Sequence, residues 1–183
     1  MQLNTKTGLV ADIKYHSSPN TDERPDIDDI SGIVIHNISL PPGEFGGGWI
    51  NDLFLNQLDP TAHPYFEAIA TLKVSAHMLI RRDGELIQYV PFHQRAWHAG
   101  VSSWEGRTGC NDFTIGIELE GCDDQEFEAV QYQQLTQLIK SLCDAYPRLT
   151  IDKVKGHQEI APGRKTDPGP YFSWQQLNTL LQA

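Results

Sequence analysis

The chain has 183 residues, a formal net charge of −10 and an apolar fraction of 39%. This length and composition suit one globular domain, predicted to span residues 1–183 with its core at about 31–181. Because phosphate contacts need a basic patch, a chain this acidic is not expected to bind nucleic acid.

The three cysteines, Cys110, Cys122 and Cys143, include no Cys-x-x-Cys pair. An odd, scattered set argues against a disulfide framework and against a cysteine-rich zinc site. The N-terminal stretch lacks the basic and apolar runs of a secretory signal, and no later segment has the apolar length of a membrane span. We therefore expect a cytoplasmic protein with reduced thiols and no membrane partner. We also expect a monomer.

The first strong pattern is an apolar, β-branched run at residues 32–36, which predicts a buried strand. The stretch 40–48 is dense in proline and glycine and predicts a loop, a candidate mobile flap. Helical spacing then predicts two short helices separated by Pro60 and Pro64. Strands are predicted at 74–80 and 86–90, and the Asp83-Gly84 pair between them predicts a hairpin turn.

Residues 114–121 alternate in polarity and predict another strand. Ile115, Ile117 and Leu119 share one face, while Glu118 and Glu120 share the other. Judged by pattern alone, both glutamates would be exposed strand carboxylates.

The C-terminal third predicts a helix over 128–145 ended by Pro147, a short strand at 154–157, and a last helix capped by Ser173 with Gln176. Strands and helices in this order predict an α+β (mixed α/β) domain with a central mixed sheet flanked by helices.

Two of the seven histidines, His36 and His157, end short apolar stretches at predicted strand ends. The loop after His157 is stiffened by prolines and carries Arg164, Lys165 and Asp167. From pattern alone, a preorganised site and an ordinary loop of solvated charges are equally compatible with it. Catalytic zinc sites use three protein ligands, but no His-Glu-x-x-His helix is present, so spacing alone does not identify the ligands.

Five segments carry a more specific signal: IVIHNISLPPGEFGG, VSAHMLIRRDGE, QYVPFHQRAWHAGVS, CNDFTIGIELEG and GHQEIAPGRKTDPGP. Together they resemble the AmpD-type N-acetylmuramoyl-L-alanine amidases over most of the chain. The resemblance implies a fold shared with phage-type amidases and peptidoglycan recognition proteins. It also implies hydrolysis of the amide between the lactyl group of 1,6-anhydro-N-acetylmuramic acid and L-alanine in muropeptides, for peptidoglycan recycling.

The resemblance further implies a role for each matching residue. His36, His157 and Asp167 would bind zinc, Glu118 would accept the catalytic proton, and Lys165 would stabilise the transition state. Without the resemblance, Lys165 would be interpreted as a solvated loop charge.

Substrate contacts are expected from Asn37, which neighbours His36, and from Ala161 in the GHQEIAP segment. Trp97 is a candidate for packing on the sugar or the peptide, and its alternative is a core aromatic.

Two departures from the family pattern concern the peptide end of the substrate. Lys73 and Gly109 stand where the family commonly has arginine. Lysine supplies charge without the planar guanidinium fork, and glycine supplies neither. Lys73 and, as a substitute for the second arginine, Arg107 are therefore candidate substrate contacts.

Two alternatives to this function stay open at the level of the sequence. One is an amidase acting on polymeric peptidoglycan, as in phage lysins. The other is a non-catalytic muropeptide-binding sensor, although the complete predicted ligand set counts against it.

Overall fold

The computed structural model describes residues 1–183. Its strands are mostly short: β1 (Leu3–Asn4), β2 (Leu9–Val10), β3 (Lys14–Tyr15), β4 (Thr21–Glu23), β5 (Gly32–Ile38), β6 (Met78–Ile80), β7 (Leu86–Gln88), β8 (Gln94–Ala96), β9 (Ser103–Trp104), β10 (Arg107–Thr108), β11 (Thr114–Glu120) and β12 (Val154–Gly156). The helices are α1 (Trp49–Phe54), α2 (Phe66–Ile69), α3 (Ala129–Ala145), α4 (His157–Ile160) and α5 (Trp174–Gln182), with a 3₁₀ turn at Cys110–Asp112.

A six-stranded mixed sheet forms the centre of the molecule, in the order β12-β5-β11-β6-β7-β3. The first four strands run parallel, β7 is antiparallel to β6, and β3 closes the edge parallel to β7. Strands β5 and β11 pair along their whole length, which sets His36 directly beside Glu118. The prediction of a mixed sheet flanked by helices is confirmed.

One face of the sheet packs against the two longest helices. Alternation along β5 and β11 turns Ile33, Ile35, Ile115, Ile117 and Leu119 toward α3 and α5, and all five side chains are fully buried. Each such side chain stabilises the fold by roughly 1.5–3 kcal/mol through burial. This face therefore holds the main hydrophobic core, so the opposite face can carry polar side chains of a site.

The opposite face is covered unevenly. Helices α1 and α2 and their loops pack with Leu79 and Ile87 in a second apolar cluster. Val34 belongs to a smaller third cluster with Trp104 and Ile160. Between these clusters the sheet presents His36 and Glu118 instead of apolar side chains.

Most predicted elements are present, and the differences lie at their ends. The strand predicted over 74–80 begins only at Met78, because Ser75 bonds instead to the backbone oxygens of Asn20 and Trp97. The predicted hairpin is confirmed, with Gly84 N–H donating to the Arg81 carbonyl across the turn. Residues before 31 also contribute to the core, through Val10 and Ile30. None of the helices has the length and apolarity needed to cross a bilayer.

Candidate active site

Three sequence-distant residues converge where parallel strands end. His36 lies near the end of β5, and His157 is the first residue of α4, directly after β12. Asp167 lies in the following loop, which is fixed by the Gln158 N–H donating to the Asp167 carbonyl over 3.0 Å. The carboxyl ends of neighbouring parallel strands meet at one edge of a sheet, which is a common place for a site.

The three side chains bring their electron-pair donors together. His36 Nδ1 lies 3.0 Å from His157 Nδ1 and 2.9 Å from Asp167 Oδ2, and His157 Nδ1 lies 3.0 Å from the same oxygen. The imidazoles are almost fully buried and the carboxylate is 15% exposed. This is the arrangement of a group that can hold a metal ion.

The second nitrogen of each imidazole is already engaged. His157 Nε2 lies 3.0 Å from the carbonyl oxygen of Ala99, to which it can only donate, and His36 Nε2 lies 3.0 Å from His98 Nδ1. In the neutral form of His157, the Nδ1 lone pair would therefore face the carboxylate of Asp167. Closely spaced electron-pair donors repel one another unless a cation lies between them, so the donor set fits a divalent metal.

The protonation states of His36 and Asp167 also favour a metal site. Burial lowers the pKa of His36 to about 4, so its imidazole is neutral near pH 7. Burial works to raise the pKa of Asp167, but the neighbouring imidazoles of His157 and His36 hold it well below its usual range. Neutral imidazoles and an ionised carboxylate are the forms that bind metals.

Glu118 stands beside this group in a different electrostatic state. Its carboxyl is 9% exposed, and its Oε2 atom has no hydrogen-bond partner. Burial, reinforced by the charge of Asp167, raises the pKa of Glu118 well above its ordinary value, while Lys165 acts in the opposite direction. A carboxyl with a raised pKa in a cleft is a candidate for proton transfer.

These residues line one cleft of about 660 Å³. Lys165 is exposed at its wall, and the adjacent Arg164 is fixed by donating to the carbonyls of Ala99 and Val101 over 2.6 and 2.7 Å. The sequence alone predicts no role for Arg164 or for His98, which also lines the cleft. The sequence signal for His98 is its place in the WHAGVS segment.

Residues 26–170 match the family model described as N-acetylmuramoyl-L-alanine amidase. The chain belongs to this family. It is 56% identical to the 1,6-anhydro-N-acetylmuramyl-L-alanine amidase AmpD of Citrobacter freundii, over 95% of this chain and 92% of that protein. AmpD of Escherichia coli K12 is 57% identical over 90% and 89% of the two chains.

Solved structures agree with the sequence relatives. A crystal structure of a selenomethionine AmpD derivative matches with a TM-score of 0.95 and 55% identity, covering 99% of each chain. The amidase AmiD of E. coli, solved in complex with anhydro-N-acetylmuramic acid-L-Ala-D-gamma-Glu-L-Lys, matches with a TM-score of 0.62 and 33% identity over 87% of this chain and 60% of that one.

Two of the predicted substrate contacts line the cleft of this amidase. Trp97 is half-buried at its wall. Asn37 donates its amide hydrogens to Asp123 Oδ1 at 2.7 Å and to the Pro168 carbonyl at 3.0 Å. Only the Asn37 side-chain oxygen is therefore available to accept a bond from a ligand.

The other three predicted contacts are not brought to the cleft wall. Lys73 is exposed between two residues that line it. Arg107 forms an ion pair with Asp29 and stacks over the Phe113 ring in a separate pocket. Ala161 is buried, and its N–H donates to the His157 carbonyl over 2.9 Å. Arg107 and Ala161 are thus engaged elsewhere in the fold, and contact between Lys73 and a substrate stays a prediction.

The expectation that Glu120 is an exposed strand carboxylate is wrong. Its side chain is 2% exposed and accepts from Arg81 Nη1 at 3.1 Å and from the Gly46 N–H at 2.6 Å. The loop at 40–48 covers this end of β11, and a polarity pattern along the strand cannot reveal such a cover.

Proposed function

We propose that this amidase is a zinc hydrolase that cleaves the amide between the lactyl group of 1,6-anhydro-N-acetylmuramic acid and L-alanine in muropeptides, in peptidoglycan recycling. One observation carries the proposal. Two imidazole nitrogens and a carboxylate oxygen converge within 3.0 Å of one another beside a buried carboxyl with a free oxygen, all in one cleft.

The choice of substrate is supported by the relatives. The AmpD proteins that cover nearly all of this chain are named as 1,6-anhydro-N-acetylmuramyl-L-alanine amidases. More distant family members were solved with anhydromuramyl peptides bound. We infer that the same class of ligand occupies the cleft here.

His36, His157 and Asp167 would hold the metal. Two neutral nitrogens and one anionic oxygen are a common catalytic zinc ligand set, which leaves a position for water or substrate. When bound there, zinc supplies Lewis acidity that polarises the substrate carbonyl.

Glu118 would move the proton. Its carboxylate accepts a proton from the attacking water as the carbon–oxygen bond forms, and returns it to the amine nitrogen as the carbon–nitrogen bond breaks. The raised pKa of Glu118 suits this transfer, because it makes the carboxylate a stronger base toward the attacking water. The Lys165 ammonium would stabilise the oxygen that gains negative charge.

We also propose that the enzyme acts in the cytoplasm. All three cysteines are free thiols, and Cys110 is buried. A reducing compartment preserves thiols in this state.

Mass spectrometry of the products tests the proposal. Purified protein is stripped of metal, reloaded with zinc and incubated with anhydro-muropeptide or, separately, with intact sacculi. We expect free peptide with an N-terminal L-alanine from the muropeptide, and loss of this product together with bound zinc in Asp167→Ala. Faster release from sacculi would replace the proposed substrate with polymeric peptidoglycan, and binding without cleavage would favour a sensor.

A further inference from the structure

The ring of His98 lies between His36 and strand β11. His98 Nδ1 is 3.0 Å from His36 Nε2, and His98 Nε2 is 3.3 Å from Thr114 Oγ1. A Cβ added at Gly116 would overlap this ring, so the absence of a side chain there makes room for it. The backbone N–H of His98 also donates to Asn111 Oδ1 over 3.1 Å. The imidazole is therefore held on several sides.

The hydroxyl of Thr114 determines which atom donates and which accepts in each hydrogen bond from Thr114 through His98 to His36. Its single proton is committed to the Cys110 carbonyl, which lies 2.6 Å from Oγ1 and can only accept. Thr114 Oγ1 must therefore accept from His98 Nε2. A neutral imidazole has one N–H, so His98 Nδ1 is an acceptor, and His36 Nε2 must be the donor to it. The Nδ1 lone pair of His36 is then left toward His157 and Asp167.

We propose that His98 and Thr114 are positioning residues that hold His36 in the tautomer whose Nδ1 can bind the metal. This inference rests on the proposed function, because that proposal makes His36 a ligand. The two imidazole ligands are thus fixed in different ways. His157 is set directly by a backbone carbonyl, which no substitution removes, whereas His36 depends on two side chains.

Two substitutions at Thr114 separate the effect of the hydroxyl from the effect of side-chain shape. Thr114→Val keeps the volume and both branches but removes the acceptor for His98. Thr114→Ser keeps the hydroxyl and is the matched control. We expect Thr114→Val to bind zinc about 10-fold more weakly, the effect typical of losing an outer partner of a ligand, and Thr114→Ser to bind as the unmodified protein does.

Substitutions at His98 provide an independent pair. His98→Asn retains an oxygen near the position of Nδ1, which can accept from His36, whereas His98→Ala retains none. We expect zinc affinity to be largely kept in His98→Asn and to fall about 10-fold or more in His98→Ala. Because the Asn variant no longer reaches Thr114, adding Thr114→Val to it should have no further effect.

Two measurements read the result without turnover. Competition with a chelating indicator gives the zinc dissociation constant, and ¹⁵N NMR of the metal-free protein reports which nitrogen of His36 carries hydrogen. We expect the Nε2–H form in the unmodified protein and in Thr114→Ser, and a mixture of forms in Thr114→Val and His98→Ala. Circular dichroism checks folding, and the His98 pair decides the question should Thr114→Val not fold.

An unchanged His36 tautomer in both Thr114→Val and His98→Ala overturns the inference, as does equal zinc affinity within both pairs of variants. Failure of the proposed ligand set is a separate result. If His36 is not a ligand, zinc affinity will be undiminished in His36→Ala. The His36 tautomer, which is measured in the metal-free protein, is independent of that outcome.

Discussion

Glu118 and Glu120 lie two residues apart on one face of β11, and their surroundings give them different properties. Glu120 accepts from Arg81 and from the backbone of the 40–48 loop, so its charge is compensated. Glu118 has a buried oxygen with no partner and a pKa raised well above its ordinary value. The contacts of Glu120 stabilise the fold, whereas the surroundings of Glu118 leave its carboxyl able to exchange a proton.

We predict that Glu118→Gln lowers kcat by about 10²–10⁴-fold, because the amide cannot accept the proton of the attacking water. Bound zinc should be unchanged, since Glu118 is outside the ligand group. Single-turnover kinetics and elemental analysis measure the two quantities.

Glu120→Gln is the matched control. It should keep kcat but lose about 1–3 kcal/mol of stability, because it replaces a charged acceptor of the buried Arg81 guanidinium by a neutral one. Arg81 keeps its ion pair with Glu85. Loss of zinc from Glu118→Gln would contradict this division of roles.

Lys165 provides a second prediction at this scale. It is exposed, it lines the cleft, and its charge acts on both His36 and Glu118. Lys165→Ala should keep zinc and lower kcat by about 100-fold, the usual effect of losing one donor to a developing oxyanion. Lys153→Ala, which only breaks an exposed ion pair with Glu105, is the control and should leave kcat unchanged. An unaltered kcat in Lys165→Ala would remove this residue from the mechanism.

Helix α3 shows how an element on one face supports the site on the other. Gln131 is fully buried, and its amide nitrogen donates to the carbonyls of Glu120 and Ile80 over 3.0 and 3.2 Å. Its side-chain oxygen accepts from the Glu128 N–H and completes a capping box. The start of α3 is thereby fixed to the ends of β6 and β11.

We predict that Gln131→Leu lowers the free energy of unfolding by about 2–4 kcal/mol. The substitution removes the donor to the carbonyls of Glu120 and Ile80 and also removes the capping bond at the start of α3. Urea denaturation measures this loss, and kcat at low temperature should change little. Gln133→Leu, an exposed position on the same helix, is the control and should stay within about 0.5 kcal/mol. Equal stability of the two variants would show that the capping bonds contribute nothing.

The elements themselves could largely be predicted from periodicity. Helix α3 buries one face, and β11, although buried throughout, turns its apolar side chains to one side, so both patterns follow from the packing of the main core. The metal group could not be predicted from pattern, since His36 and His157 are 121 positions apart and meet only through the strand order. Family resemblance supplied that pairing. His98 and Glu120 depend on what packs over a strand, which no local pattern encodes.

The whole molecule is acidic, yet its most deeply buried titratable groups include several histidines. Burial lowers the pKa of His36 to about 4 and lowers the pKa values of His77 and His98 well below the ordinary 6.5. For His77 the nearby Arg24 guanidinium adds to the effect, and for His98 the neighbouring His36 does. These imidazoles are neutral in the folded chain at pH values where the unfolded chain protonates them.

Unfolding between pH 6.5 and about 4 should therefore take up protons, so the stability of the metal-free protein should fall as the pH falls. Glu118 opposes this, because its raised pKa makes the folded state bind a proton before the unfolded state does, but the three histidines outnumber it. Each net proton contributes about 1.4 kcal/mol per pH unit, so we predict a loss on the order of 3 kcal/mol between pH 7 and pH 5. Urea denaturation at both pH values, with metal removed by a chelator, measures the difference. Equal stability at pH 7 and pH 5, or a gain in acid, would mean that these histidines are not held neutral by the fold.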